Sequence, residues 1–249
     1  MVIEVSDLHH RYPDGTVALS GIDLTVADGE FLLICGPNGS GKTTLTRIMT
    51  GLLKPTSGVV RVNGLDASRH SKEVRRMVGM VFQEADSQIV GETVREDVCF
   101  GPENMGLPSD EIATRAAEAL QAMGLEGVAE KPCYLLSGGE KRRVAIAGVL
   151  AMKPDTLLFD EPFSHLDYPS VREVLRIMIR LHHEGHTVVV TTHDVEKVIV
   201  HVTRVAVIEK GRLKASGSPD DLVMRLRDFS VRPPCYALLG KDRISWLND

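Results

Sequence analysis

Apolar residues along the chain follow two rhythms, and the change from one to the other marks its elements. Short β-rich runs come first: "VIEV", then "GIDLTVADGEFLLIC", whose last part, Phe31 to Cys35, is continuously apolar as in a strand buried on both faces. From Ser40 the period becomes helical, with Leu45, Ile48, Met49, Leu52 and Leu53 recurring on one side until "KPTSG" supplies the Pro and Gly expected beyond a helix. "GVVRVNG" reads as a strand closing on an Asn-Gly turn, and "RMVGMVFQ" as another strand.

Between Glu84 and Met152 the pattern turns to helix and loop. "GPENMGLPSDE" reads as a connector, and a helix from about Asp110 carries Ile112, Ala116, Leu120 and Met123 on one side and stops at Gly124. "TLLFDE", "TVVVTTH" and "RVAVIE" then resume as short apolar strands, with a helix from Pro169 to Glu184 between the first two. Such alternation implies a parallel sheet with helices on its faces. The last residues, "RPPCYALLGKDRISWLND", read as a loosely attached tail.

The 249 residues, 43% apolar and 25% charged, suffice for one large globular domain or two small ones. A net charge of -5 gives no general attraction to nucleic acid or an anionic membrane, and the one basic cluster, Lys141 to Arg143, is too short to reverse that. The longest apolar runs fall far below the roughly 20 residues that span a bilayer. The N-terminus has no basic region followed by an apolar stretch, and Cys35, Cys99, Cys133 and Cys235 show no ligand or disulfide spacing, which points to a reducing cytoplasm.

The chemistry lies in the loops. Residues 36–43, "GPNGSGKT", match G-x-x-x-x-G-K-[ST] after a buried strand and before a helix, where a phosphate loop must sit. Its glycines let backbone N–H groups wrap phosphates, Lys42 can reach the β- and γ-phosphates, and the Thr43 hydroxyl can ligate Mg²⁺. "LLFDE" ends an apolar strand on two carboxylates. Asp160 is placed to hold Mg²⁺ or its water, and Glu161 to polarise the attacking water as general base. This pairing favours nucleotide hydrolysis over binding alone.

With "GPNGSGKT", "LSGGE", "LLFDEP", "SHLD" and "TTHD" in this order, nearly the whole chain resembles the nucleotide-binding subunit of ATP-binding cassette (ABC) transporters. The resemblance implies an α/β fold: a P-loop NTPase core with a parallel sheet, an antiparallel β region and an inserted helical subdomain. It assigns residues 1–230 to one ATPase domain, with core 1–83 and 153–230, helical subdomain about 84–152, and a short tail at 231–249. Gly36, Pro37, Asn38, Gly39, Ser40, Gly41, Lys42, Thr43 and Thr44 would hold ATP, and Tyr12 would stack on adenine. Gln83 would contact Mg²⁺ and the attacking water, and His193 the γ-phosphate. Without the resemblance Tyr12 reads as a turn aromatic, Gln83 as a surface residue and His193 as structural. Phe163 and His165 depart from common family patterns without removing a catalytic group.

Asp86 to Ile112, "DSQIVGETVREDVCFGPENMGLPSDEI", is similar to the ATPases of energy-coupling factor importers, which take up vitamins and transition-metal ions such as cobalt or nickel. The implied setting is a peripheral subunit on the cytoplasmic face of the cell membrane, docked on transmembrane subunits, with no nucleic-acid partner. An ATPase of another importer is the alternative, followed by an ABC ATPase of DNA repair, whose long coiled coils or DNA-binding domains find no counterpart here.

Ser137 and Glu140 have capping-box spacing, which by itself explains how their helix starts. It does not explain Gly138 and Gly139, which weaken a helix by up to about 1 kcal/mol each in its interior and favour close approach by a ligand. The phosphate loop is already complete within the chain. In a head-to-tail homodimer, or a heterodimer with a related ATPase, Ser137, Gly138, Gly139 and Asp167 would meet ATP held by the other subunit, the arrangement known in the family.

Overall fold

The computed structural model describes residues 2–248. The chain begins with two long antiparallel strands, β1 (Ile3–Arg11) and β2 (Val17–Val26), followed by the buried β3 (Phe31–Cys35) and helix α1 (Lys42–Met49). Next come β4 (Ser57–Val62), the short β5 (Leu65–Asp66), α2 (Ser71–Met77) and β6 (Val78–Val81). Helices α3 (Val94–Asn104), α4 (Ser109–Ala122) and α5 (Gly138–Leu150) follow. The chain then runs through β7 (Thr156–Asp160), α6 (Tyr168–His183), β8 (Thr187–Thr192), β9 (Arg204–Glu209) and β10 (Arg212–Gly217), and ends with the short α7 (Pro219–Leu222) and α8 (Cys235–Leu238).

Two sheets result. An antiparallel sheet has the order β2-β1-β4-β5, and a six-stranded sheet the order β10-β9-β3-β8-β7-β6, parallel throughout except for the β9–β10 hairpin. This is the α/β core, antiparallel region and helical insert expected from the sequence. The continuous apolar run of β3 is explained by its two faces. Leu32 and Ile34 join one core with α1 and the antiparallel sheet, while Phe31, Leu33 and Cys35 join the other with α5 and α6. Each strand end is thereby clamped between two dry layers, which fixes the loops carrying the chemistry.

Several expectations are corrected. Helix α1 stops at Met49, so Leu52 and Leu53 lie beyond it and Leu52 is exposed. Residues 76–77 belong to α2 rather than to a strand. "GPEN" is not connector but the last turn of α3, with Pro102 inside the helix. The start of α3 is strong enough to carry it that far: Thr93 and Glu96 form a capping box, worth about 1 kcal/mol, and Val94 and Val98 are fully buried. Gly101 permits the close approach, since a Cβ there would stand 2.7 Å from Met152 Cγ.

The tail is not loosely attached. Trp246 and Leu247 pack on the core, Arg172 donates to the Leu247 carbonyl at 3.1 Å, and the His201 ring bonds the Ser245 hydroxyl at 2.8 Å. The Asn63-Gly64 turn does close the β4–β5 hairpin, both residues having positive φ.

Candidate active site

The phosphate loop is shaped by glycine where glycine is required. At Gly36 a Cβ would lie 1.9 Å from the Ile208 carbonyl, and at Gly41 one would lie 2.5 Å from that of Ala18. Gly41 is also the N-cap of α1, left-handed at φ 105° and without a side-chain cap. The first N–H groups of α1 therefore lack a capping side chain and point into the loop, the condition that makes a helix N-terminus an anion site. Lys42, 6% exposed, folds over the loop and donates from Nζ to the carbonyls of Gly36 at 2.8 Å and Pro37 at 3.1 Å. Burial lowers its pKa, against the opposing pull of Glu161 and Asp160.

Facing the loop is the end of β7. Asp160 accepts hydrogen bonds from the hydroxyls of Thr43 at 3.1 Å and Thr191 at 2.5 Å. Glu161 follows at φ 45°, a left-handed conformation that turns its carboxylate away from that of Asp160. Its oxygens accept from the Thr192 hydroxyl at 3.0 Å and the His193 N–H at 3.1 Å, and the His193 ring lies 3.0 Å from Oε1. Lys42 Nζ stands 3.7 Å from the same Oε1. Glu161 is 7% exposed and still lines the cleft.

That cleft, about 490 Å³, brings together Tyr12, Asn38, Gly39, Ser40, Gly41, Lys42, Thr43, Thr44, Gln83, Glu161 and His193. Residues from five separate segments thus converge on one cavity. Tyr12 is tied to the loop by a 3.0 Å bond between its hydroxyl and that of Thr44, and its ring stands nearly perpendicular to that of His10 with the centroids 4.7 Å apart. Pro37 belongs to the loop itself and contributes its carbonyl to Lys42. Thr43, Asp160 and Gln83 offer only oxygen donors of the kind Mg²⁺ takes, so the residues present fit the ion.

Ser137, Gly138, Gly139 and Asp167 do not line this cleft. They sit at the exposed N-termini of α5 and α6. Ser137 and Glu140 form the capping box, and Asp167 caps α6 through a 3.1 Å bond from the Ser170 N–H. Gly139 has a packing reason as well, because a Cβ there would meet Ser170 Oγ at 2.5 Å, whereas Gly138 faces open space. Sequence reasoning passed over Thr191 and Thr192, which hold the two carboxylates, and residues 16–18, which form the cleft's other wall. Threonine in an apolar run reads as an ordinary strand former.

Known proteins resemble this chain over most of its length. The ABC transporter family model matches residues 19–164. The energy-coupling factor transporter ATP-binding protein EcfA of Methanothermobacter thermautotrophicus is 47% identical over 98% of this chain and 81% of its own length. That of Methanocaldococcus jannaschii is 43% identical over 96% and 88%. The structure of cbiO1 from Clostridium perfringens, part of the ABC transporter complex cbiONQ, superposes with a TM-score of 0.81 at 37% identity, covering 96% of this chain and 98% of that one. A cassette solved as a dimer in a post-hydrolysis state with ADP and Pi gives 0.78 at 30% identity over 87% and 98%. With a phosphate loop, a paired carboxylate strand and these relatives, the chain belongs to the ABC transporter family and is an ATPase of the energy-coupling factor type.

Proposed function

We propose that the chain is a peripheral subunit on the cytoplasmic face of the membrane, where it hydrolyses ATP to power uptake through separate transmembrane subunits. The cargo in this reading is a vitamin or a transition-metal ion such as cobalt or nickel, the classes that the resemblance of residues 86–112 to energy-coupling factor ATPases implies. Among the described residues no helix is long and apolar enough to cross a membrane, and in this reading the transmembrane subunits supply the channel.

The observation that carries the reading is a second cleft beside the first. A groove of about 640 Å³ runs between α2 and β6 on one side and α3 and α5 on the other. Leu52, Phe82, Val90 and Phe100 give it an apolar lining, and Lys72, Arg75 and Arg76 a cationic rim. Val90 and Phe100 are 59% and 49% exposed, unusual for residues of their kind without a partner. Phe82 precedes Gln83 of the ATP cleft, so a helix from a membrane subunit seated here would touch the nucleotide site through one peptide bond.

Within the ATP cleft, Tyr12 packs on the base and the loop of residues 36–44 wraps the phosphates. Lys42 exchanges its carbonyl partners for phosphate oxygens. Glu161 takes the proton of the attacking water, with His193 and Thr192 fixing the carboxylate's direction and His193 turned toward the γ-phosphate. Bound beside Thr43, Asp160 and Gln83, Mg²⁺ would supply charge neutralisation for the phosphates. Ser137, Gly138, Gly139 and Asp167 complete the site of a second subunit, identical or related.

Co-purification from membranes tests the transport reading. Wild type is expected to bring down a small substrate-binding membrane protein, and an exporter-type partner rejects uptake. Phe100→Asp should abolish that association while the detergent-free ATPase activity stays within about twofold of wild type, since Phe100 lies outside the ATP cleft.

A further inference from the structure

Gln83 and Ser137 serve different ATP sites in the proposed dimer, yet one side chain joins them within the chain. Arg142 stands on α5, five positions after Ser137, and is 3% exposed. Its guanidinium donates from Nη1 to the Phe82 carbonyl at 2.5 Å and from Nη2 to the Gln83 carbonyl at 2.6 Å. Nε has no hydrogen-bond partner among the described residues.

This is a costly way to fill a core position. Burial disfavours the charged form, and the charge of Glu84 is what opposes it. A guanidinium answered by two carbonyls recovers less of its lost hydration than one paired with a carboxylate, and an apolar side chain of similar size would pack there at lower cost. What the guanidinium gives in return is geometry. Its rigid fork spans two successive carbonyls, which no aliphatic side chain and no single ammonium can do.

The neighbouring contacts support the same division of labour. On the sheet side of the loop, Gln88 accepts from the Phe82 N–H at 2.9 Å and donates to the Met80 carbonyl at 3.1 Å. On the helix side, Lys141 pairs with Asp86 next to Arg142. The segment 82–88 is therefore held from both directions, and its helix-side grip sits one turn from the capped end of α5.

We propose that Arg142 is a positioning residue that makes α5 and the Gln83 loop move as one body. Contact between Ser137 and the γ-phosphate of one site then sets Gln83 in the other, so the two sites sense each other's occupancy. This rests on the shared-site reading of Ser137 given above.

The test uses the full chain, ATP and the variants Arg142→Gln and Arg142→Lys. Arg142→Gln should bind ATP as monomer with wild-type affinity. Its kcat should fall by about fivefold or more, and its sigmoidal ATP dependence should become hyperbolic, as loss of a coupling contact requires. Arg142→Lys should restore the melting temperature without restoring cooperativity. Rescue of both by lysine reduces Arg142 to a structural residue and overturns the proposal, as does a hyperbolic curve in wild type. Dimerisation in the Glu161→Gln background separates the two readings. No ATP-dependent dimer there refutes the shared site and this inference with it; normal dimers with unchanged Arg142→Gln kinetics refute the inference alone.

Discussion

Glu161 combines three features that pull in one direction: it is buried, it is left-handed, and it is hydrogen-bonded on both oxygens. A non-glycine residue at positive φ costs about 1–3 kcal/mol, which the surrounding structure must hold in place. Strand alternation already sends successive side chains to opposite faces, and the left-handed φ takes Glu161 out of the strand geometry of Asp160. Asp160 goes to the hydroxyls of Thr43 and Thr191, and Glu161 goes to His193 and the cleft. Glu161→Gln keeps the size and the bond from the Thr192 hydroxyl and removes the proton acceptor. Phosphate release should fall by about 10²-fold or more while binding of ATP, followed by fluorescence of a nucleotide analogue, stays near wild type. Undiminished turnover would sink the base assignment. The pair of carboxylates could be read in the sequence because Asp-Glu at the end of an apolar strand is conspicuous. The strain at Glu161 and the threonines that exploit it could not, because φ is set by packing that spans 30 residues of chain separation.

Among the elements, those with an unbroken apolar period were readable, whereas the course of α3 through a glycine and a proline was not. Strands β3, β7 and β8 are buried through their length and β9 through all but its two end residues, so their pattern survives without knowledge of neighbours. Helix α3 hid behind Pro102 and Gly101, although Thr93 and Glu96 already had capping-box spacing. Strand β10 alternates intermediate and exposed residues and is defined only by its pairing with β9. The same capping device at α5 yields a prediction on pH. The Ser137 N–H donates to Glu140 at 2.8 Å and holds its pKa below the ordinary carboxylate value. A carboxylate with a lower pKa folded than unfolded stabilises the fold above the ordinary carboxylate range, and that contribution is lost as pH falls through the depressed value. Glu140→Gln retains an oxygen for the Ser137 N–H, so α5 should still form, but the titrating part of the contribution disappears. The stability gap between wild type and variant, from denaturant midpoints, should be largest near neutral pH and shrink below about pH 4. A gap that does not change with pH would remove Glu140 from the acid response.

For the molecule as a whole, the decisive feature is the distance in function between two helix N-termini. That of α1 faces the cleft of its own chain, uncapped by any side chain and ringed by Lys42, Glu161 and Gln83. That of α5 is capped, exposed, and carries Gly138 facing open space. A chain acting alone would use only the first. In the proposed dimer the second becomes useful: another copy, or a related ATPase, would lay its own phosphate loop against it, so that ATP would bridge the subunits and hydrolysis would release them. Two substitutions at Ser137 separate this role from capping. Ser137→Ala removes the cap and costs about 1 kcal/mol of stability, measurable as a lower denaturation midpoint. Ser137→Arg removes the cap and also fills the open space at Gly138 with a long cation. Both variants should bind ATP as monomers, because neither changes a residue of the cleft. In the Glu161→Gln background, which holds ATP unspent, light scattering should show the mass of two chains for the parent and of one for Ser137→Arg, with Ser137→Ala intermediate in its ATP requirement. Full-mass dimers of Ser137→Arg at the parent's ATP concentration would show that α5 does not reach the partner's nucleotide, leaving the capping box and the packing of Gly139 on Ser170 as the reasons for "SGGE".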